Sequence, residues 1–344
     1  MSSSSPSFTF AIIGSGMIAG VMARAIQDAP QADLVAVASR RAESARDFAR
    51  EHGIGRVFET WQELLAADGI DAVYVATPTA VREEIALAVL DSGRHLISEK
   101  PFLDAASAER LAERAMAKGL AFMDATHFTH HPRTQEVIET QRTRLGHPGS
   151  VNTSFFFPFM DRDNIRFDPA REPTGAIGDM GWYNMRAIVE FLRPHGAPVR
   201  VAGQVRRDKD SGAVIRGAGL MVFADGQTST FDFGYDAGVC QMDLTILGEH
   251  GLIRLDDYVL DWKDGFAFDH PEHPTGFVVR QEMAAPHEFE RHTSAQGPRQ
   301  AVQLVEHFVA MAQAPDSPER EQARQRAVAT QRLVDAFVAS VDHA

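Results

Sequence analysis

Three side chains in this sequence have types and settings that suit proton chemistry. Lys100 lies in Glu99-Lys100-Pro101 just after an apolar run, while Asp179 and Tyr183 stand four apart in Gly175-Ala176-Ile177-Gly178-Asp179-Met180-Gly181-Trp182-Tyr183. Helical backbone would put Asp179 and Tyr183 on one face. An ammonium, a carboxylate and a phenol brought together can hold a proton and pass it on. A phenol with an ordinary pKa of about 10 is a poor base at neutrality, and a nearby ammonium corrects this by favouring phenolate. Taken singly, each has a plainer reading: a surface ammonium, a first-turn acid favoured by the helix dipole, and a half-buried tyrosine with a satisfied hydroxyl.

A second constellation suits phosphate. Gly14-Ser15-Gly16-Met17-Ile18-Ala19 follows an apolar run and opens an amphipathic stretch, the context that a G-x-G-x-x-G/A loop needs. Gly14 permits the tight turn, Gly16 lets backbone approach a pyrophosphate, and Ala19 lets helix and strand pack closely. About 20 residues further on, a carboxylate would bind the ribose 2′-hydroxyl of NAD. This chain has Ser39-Arg40-Arg41 there. A hydroxyl and guanidinium groups bind a 2′-phosphate instead, so NADP is the expected cofactor, with NAD as the alternative. Thr77 and Pro78 after the apolar run at 72–76, with Glu99 and Lys100 after that at 95–98, complete the expected cofactor-binding set, because ligands of open α/β sheets sit outside the carboxyl ends of strands.

These residues need elements to carry them. Apolar runs at 8–13, 34–38, 72–76, 95–98 and 121–124 alternate with helix-length stretches at 17–29, 43–51, 61–67, 82–92 and 107–118, the pattern of a doubly wound parallel sheet. Beyond 127–132 the pattern changes: a helix at 133–142, a strand at 151–157 and a helix from 175 to about 192 precede β-rich runs at 199–205, 212–223, 228–235, 240–248 and 252–255. Short turn signals between the runs predict a mainly antiparallel sheet. Ser317-Pro318-Glu319 opens a final helix. The expected fold is α/β, a Rossmann domain at 1–127 followed by an α+β substrate-binding and oligomerisation domain at 128–344.

Composition narrows the partners. A chain of 344 residues is long enough for two cores, and a net charge of −13 disfavours nucleic acid and anionic membranes. One cysteine, Cys240, allows no intramolecular disulfide and fits a reducing compartment. The start, MSSSSPS, has neither the basic nor the apolar region of a secretory leader. A cytoplasmic protein with a small-molecule substrate is expected.

In order and spacing, the glycine loop, Glu99-Lys100-Pro101 and the Gly175–Tyr183 segment resemble the Gfo/Idh/MocA oxidoreductases, and the likeness covers nearly the whole chain. Met123-Asp124-Ala125-Thr126, with His130 and Arg133, resembles the branch holding dimeric dihydrodiol dehydrogenases and NADP-dependent D-xylose dehydrogenases. The resemblance implies that Lys100 and Tyr183 are the catalytic pair, that Asp179 orients Lys100 or a substrate hydroxyl, and that the chain forms a homo-oligomer, a dimer or tetramer. It implies hydride transfer between nicotinamide and a sugar, cyclic polyol or dihydrodiol. Two other readings stay open: a redox-neutral, glycoside-type reaction on tightly held cofactor, and a non-catalytic NADP-sensing regulator.

The sequence departs from the family at Arg82, where many members carry histidine, and at Phe128, where relatives carry tryptophan. The expected substrate-binding residues are Phe128, His130, Arg133, Asn164 and Arg166. His127, His130 and His131 read as hydrogen-bonding groups, so no metal is expected.

Overall fold

The computed structural model describes residues 7–159, 161–263, 270, 272–295 and 297–341, so the serine-rich start falls outside it. Two compact units emerge: Met1–Thr126 with Pro298–Val328, and His127–Gly297 with Ala329–Ala344.

In the first unit, β1 (Phe8–Ile13), β2 (Ala32–Ala38), β3 (Arg56–Phe58), β4 (Ala72–Val75), β5 (His95–Ser98) and β6 (Phe122–Asp124) form a parallel sheet in the order β3-β2-β1-β4-β5-β6. Helices α1 (Met17–Asp28), α2 (Ala42–Glu51), α3 (Trp61–Ala66), α4 (Thr79–Asp91) and α5 (Ala105–Ala117) connect them. The central strands are buried along their length, which is why they read as unbroken apolar runs. Strand order reverses between β1 and β4, where doubly wound sheets bind ligands. Gly14 leaves β1 there at φ +123°, and a Cβ on it would lie 2.7 Å from the Ala76 carbonyl oxygen. Only glycine suits both the dihedral and the gap.

The second unit opens with a 3-10 turn at His127–His130 and α6 (Pro132–Thr140), whose first turn is capped by His131 Nδ1 accepting from the Arg133 amide at 3.0 Å. There follow β7 (Pro148–Phe156), α7 (Ala176–Asp179) and α8 (Gly181–Ala187), a π turn at Ile188–Leu192, and then β8 (Arg200–Arg207), β9 (Val214–Val222), β10 (Thr228–Gly234), β11 (Leu244–Gly248), β12 (Gly251–Leu255), β13 (Gly276–Gln281) and β14 (Glu290–Thr293). Their order is β14-β13-β12-β11-β7-β10-β9-β8, antiparallel except where β7 meets β10. The expected continuous helix from 175 to 192 is instead α7, α8 and the π turn, and the Tyr183 amide bonds to the Met180 carbonyl at 3.1 Å. β3, β13 and β14 escape a reading by apolar runs: β3 has three residues, and β14 is an edge strand of Glu290, Arg291, His292 and Thr293.

The chain ends in α9 (Gln300–Gln313) and α10 (Pro318–Val341). Here the expected 128–344 domain is corrected, because Pro298–Val328 belongs to the first unit. Phe308 of α9 packs on Phe10 of β1 with ring centroids 6.0 Å apart, and α9 rests on α1 and β2. Buried Arg320 donates to the Met311 and Ala312 carbonyls at the end of α9 and to Gly119 at 2.6 Å. Helix α9 went unread because it is buried on several faces and shows no clean polar stripe.

Later in α10, fully buried Phe337 meets β8, β9 and β10. A Cβ on Gly219 of β9 would lie 2.7 Å from its ring, and one on Gly203 of β8 would collide with the same ring. The glycines make a trough that the ring fills, edge-on to Phe231 at 5.1 Å. Phe337→Ala empties it, and a loss of about 3–5 kcal/mol is expected in denaturant unfolding of the second unit.

Candidate active site

In the first unit the carboxyl ends of β1, β2, β4 and β5 carry the expected cofactor residues. A Cβ added to Gly16, which caps α1, would meet nothing within 4 Å, so the backbone is open to a close-lying anion at the helix N-terminus. In the first turn Met17 is exposed and Ile18 half-buried. Ser15 Oγ lies 2.9 Å from Ser39 Oγ, which joins the glycine loop to the end of β2. Arg40 and Arg41 are exposed, and Arg41 Nε donates to Ser44 Oγ at 3.1 Å. Pro78 caps α4, and Thr77 Oγ1 is buried without a hydrogen-bond partner. The open Gly16, the partnerless Thr77 hydroxyl and the exposed guanidinium groups fit a phosphorylated dinucleotide.

Arg82 fixes the loops that follow β4 and β5. Its buried guanidinium donates to the Thr77 carbonyl at 2.5 and 2.9 Å, to the Glu99 carbonyl at 3.2 Å, and to the Pro101 carbonyl. Glu99, expected at the cofactor, also supports this loop. Its buried carboxylate accepts from Tyr74 Oη at 2.6 Å and from the Lys100 amide at 3.2 Å. Lys100 is therefore presented, half-buried, from a loop held on both sides.

In the second unit Gly175, at φ +50°, starts α7 hard against β9, where a Cβ would lie 2.5 Å from the Val214 carbonyl oxygen. Asp179 ends that turn. Arg166 Nε donates to its Oδ2, as does Tyr235 Oη at 3.1 Å. Asn164 accepts from the Arg166 amide at 3.2 Å and from its guanidinium at 3.3 Å. Burial pulls the Arg166 pKa down, but the Asp179 carboxylate outweighs it and raises the pKa above its ordinary value. Burial, reinforced by Asp179, pushes the Tyr235 phenol well above 10, so it remains a donor.

Tyr183 lies edge-on to Phe155 at 5.1 Å and 6.3 Å from Phe128. Phe128 is fully buried and also packs on Tyr258 and Phe191, so its expected substrate contact is corrected to support of the Tyr183 ring. His130 closes the 3-10 turn, half-buried.

Arg133 is also corrected. It is 1% exposed, with Nη1 2.7 Å from Asp257 Oδ1 and Nη2 donating to the Asp257 and Leu260 carbonyls. With its donors turned inward, it ties α6 to the segment after β12. Asp257 Oδ2 also accepts from Trp262 Nε1 at 2.9 Å and lies 3.2 Å from His273 Nε2.

Gly14, Ser15, Gly16, Ser39, Thr77, Glu99 and Lys100 belong to the first unit, and Phe128, His130, Asn164, Arg166, Asp179 and Tyr183 to the second. Arg82, Tyr235 and Asp257 are additions. Among the described residues no group of three His, Cys, Asp or Glu side chains could hold a metal, and no helix is long and apolar enough to cross a membrane.

A glycine loop at the switch point of a β3-β2-β1-β4-β5-β6 sheet, in a chain that also carries a mainly antiparallel sheet, defines a protein of the dinucleotide-binding α/β class. Residues 8–126 match the model of the oxidoreductase family with NAD-binding Rossmann fold, and residues 134–254 match the same family's C-terminal domain. The chain belongs to the Gfo/Idh/MocA family. It is 32% identical to D-xylose 1-dehydrogenase (NADP(+)) 2 of Haloferax volcanii, over 66% of this chain and 69% of that one. It is 34% identical to a dTDP-3,4-didehydro-2,6-dideoxy-alpha-D-glucose 3-reductase of Actinomadura kijaniata, in a match spanning 62% of this chain and 63% of that reductase. A solved 3-ketoreductase from the same organism, in complex with NADP and TDP-benzene, superposes with a TM-score of 0.84 at 25% identity, covering 97% of this chain and 98% of that one.

Two measurements check this geometry. Arg82→Ala removes every bond from that guanidinium to the carbonyls, and unfolding should show a loss of about 2–4 kcal/mol together with weaker dinucleotide binding by titration. His131 is buried, and burial first, then Arg133 and Lys263, pushes its pKa down to about 3. The folded state therefore holds it neutral, while the unfolded chain takes up a proton near 6.5. Its contribution is complete above 6.5 and falls with pH towards 3, by at most about 1.4 kcal/mol per pH unit. His131→Asn keeps a capping acceptor, so stability measured against pH should lose that slope.

Proposed function

We propose that the protein is an NADP-dependent oxidoreductase acting at a carbinol or carbonyl carbon of a sugar, a cyclic polyol or a dihydrodiol. The observation that carries this reading is the place of Lys100, just past the carboxyl end of β5 on a loop pinned by Arg82 and Glu99. Ligands of such sheets bind at that edge.

Gly14, Ser15 and Gly16 would hold the pyrophosphate, Thr77 a polar group of the cofactor, and Ser39, Arg40 and Arg41 the 2′-phosphate. The bound nicotinamide would supply the hydride acceptor or donor. In oxidation Tyr183 takes the hydroxyl proton, and the Lys100 ammonium favours the phenolate needed for that. In reduction the phenol returns the proton to the carbonyl oxygen. Asp179 orients Lys100 or a substrate hydroxyl, and His130 lends a further polar contact.

The relatives act on both free and nucleotide-linked sugars. In the second unit Arg162, Arg166, Arg206 and Arg216 are already paired with Asp208, Asp179 and Asp236, so a diphosphate bound by these four would compete with those carboxylates.

Turnover of aldoses, inositols and trans-dihydrodiols with NADP tests the reading, and failure with all of them despite tight cofactor binding would sink it. Lys100→Met and Tyr183→Phe should each lower kcat by about 10²–10⁴ with folding and NADP affinity kept. Replacing Arg40 and Arg41 with alanine should raise the Kd for NADP and leave that for NAD little changed. Equal efficiency with NADH in the parent protein would remove the NADP assignment alone.

A further inference from the structure

We infer that Tyr235 is a positioning residue which, with Arg166, holds the Asp179 carboxylate in one orientation as a permanent hydrogen-bond acceptor. The inference rests on the proposed function for what Asp179 does, but not for how it is held.

The geometry is specific. Tyr235 immediately follows β10, and its amide donates to the Ile215 carbonyl at 2.9 Å while its own carbonyl accepts from the Phe159 amide at 3.1 Å. The backbone is thereby pinned on both sides. The ring is 2% exposed, edge-on to Phe159 at 5.3 Å and 6.0 Å from Phe167. Phe159 also underlies the Arg166 guanidinium, whose carbon sits 4.4 Å from the ring centroid. One aromatic ring thus packs against both groups that donate to Asp179.

Both donors reach the same oxygen, Oδ2. A carboxylate with two donors on one oxygen cannot rotate about its Cβ–Cγ bond without breaking both bonds. The donors are also constant. The phenol stays protonated because burial and the adjacent carboxylate raise its pKa, and the guanidinium stays charged. Glu172 is the other titratable group whose charge bears on both of them. Asp179 ends α7 and Tyr183 lies in α8, so fixing the carboxylate fixes its direction relative to the phenol that moves the proton.

The test uses Tyr235→Phe in the full chain, which keeps the ring and its packing and removes only the hydroxyl. Carbon-13 carboxylate titration reads Asp179 directly, with its signal assigned by loss in Asp179→Asn. Losing one donor to the charged form should raise the midpoint by about one pH unit. On the best substrate of the panel, Tyr235→Phe should lower kcat about tenfold with the KM for NADP unchanged. In an Asp179→Asn background the same change should cost less than twofold, since coupled residues are non-additive. An unmoved midpoint, or an equal kcat loss in both backgrounds, would overturn the inference. If the midpoint moves in a protein that turns over none of the panel, the tie stands and the proposed function falls.

Discussion

Four carbonyl–guanidinium hydrogen bonds organise the ligand edge of the first unit. The Arg82 side chain is fixed to Thr77, Glu99 and Pro101, and so links the turn after β4 to the turn after β5 at the switch point of the sheet. One charged group supplies donors to three carbonyls, and loops that would otherwise wander are set. Glu99 completes the arrangement from the other side, with its carboxylate between the Tyr74 hydroxyl and the Lys100 amide. The position of Lys100 is a consequence of those bonds.

The second unit uses the same device twice, with acid and base exchanged. Asp257 takes Arg133, Trp262 and His273, and secures the segment after β12 to α6. Asp179 takes Arg166 and Tyr235. In both cases a carboxylate is the hub, and at least one donor comes from a distant part of the chain, Arg133 for Asp257 and Tyr235 for Asp179. Isolated surface ion pairs contribute little, but buried hubs with several donors are costly to break and so enforce one local geometry.

Sequence patterns revealed the elements more readily than the hubs. Buried parallel strands read as apolar runs, the glycine loop has a fixed length, and Asp179 and Tyr183 declare themselves by a four-residue interval. Arg133 looks like a cleft residue in the sequence because its partner lies 124 residues away, and no local spacing links them. Phe128 has the same difficulty, since an aromatic near a domain junction looks alike whether it faces ligand or backs another ring. Arg82 was visible as a departure from the family, though its three carbonyl partners were not, because carbonyls carry no residue signature. Tyr235 ended a readable strand, and only the structure showed that its hydroxyl meets Asp179.

The glycine trough of β8 and β9 has a consequence in time. Residues near 203–219 receive the ring that fills them from Phe337, and β1 receives Phe308 from α9. Each unit therefore closes its core with residues made more than a hundred positions later than the strands they cover. During synthesis at about 5–20 residues per second, both sheets stay incompletely covered until α9 and α10 emerge, and they are the surfaces that need protection until then.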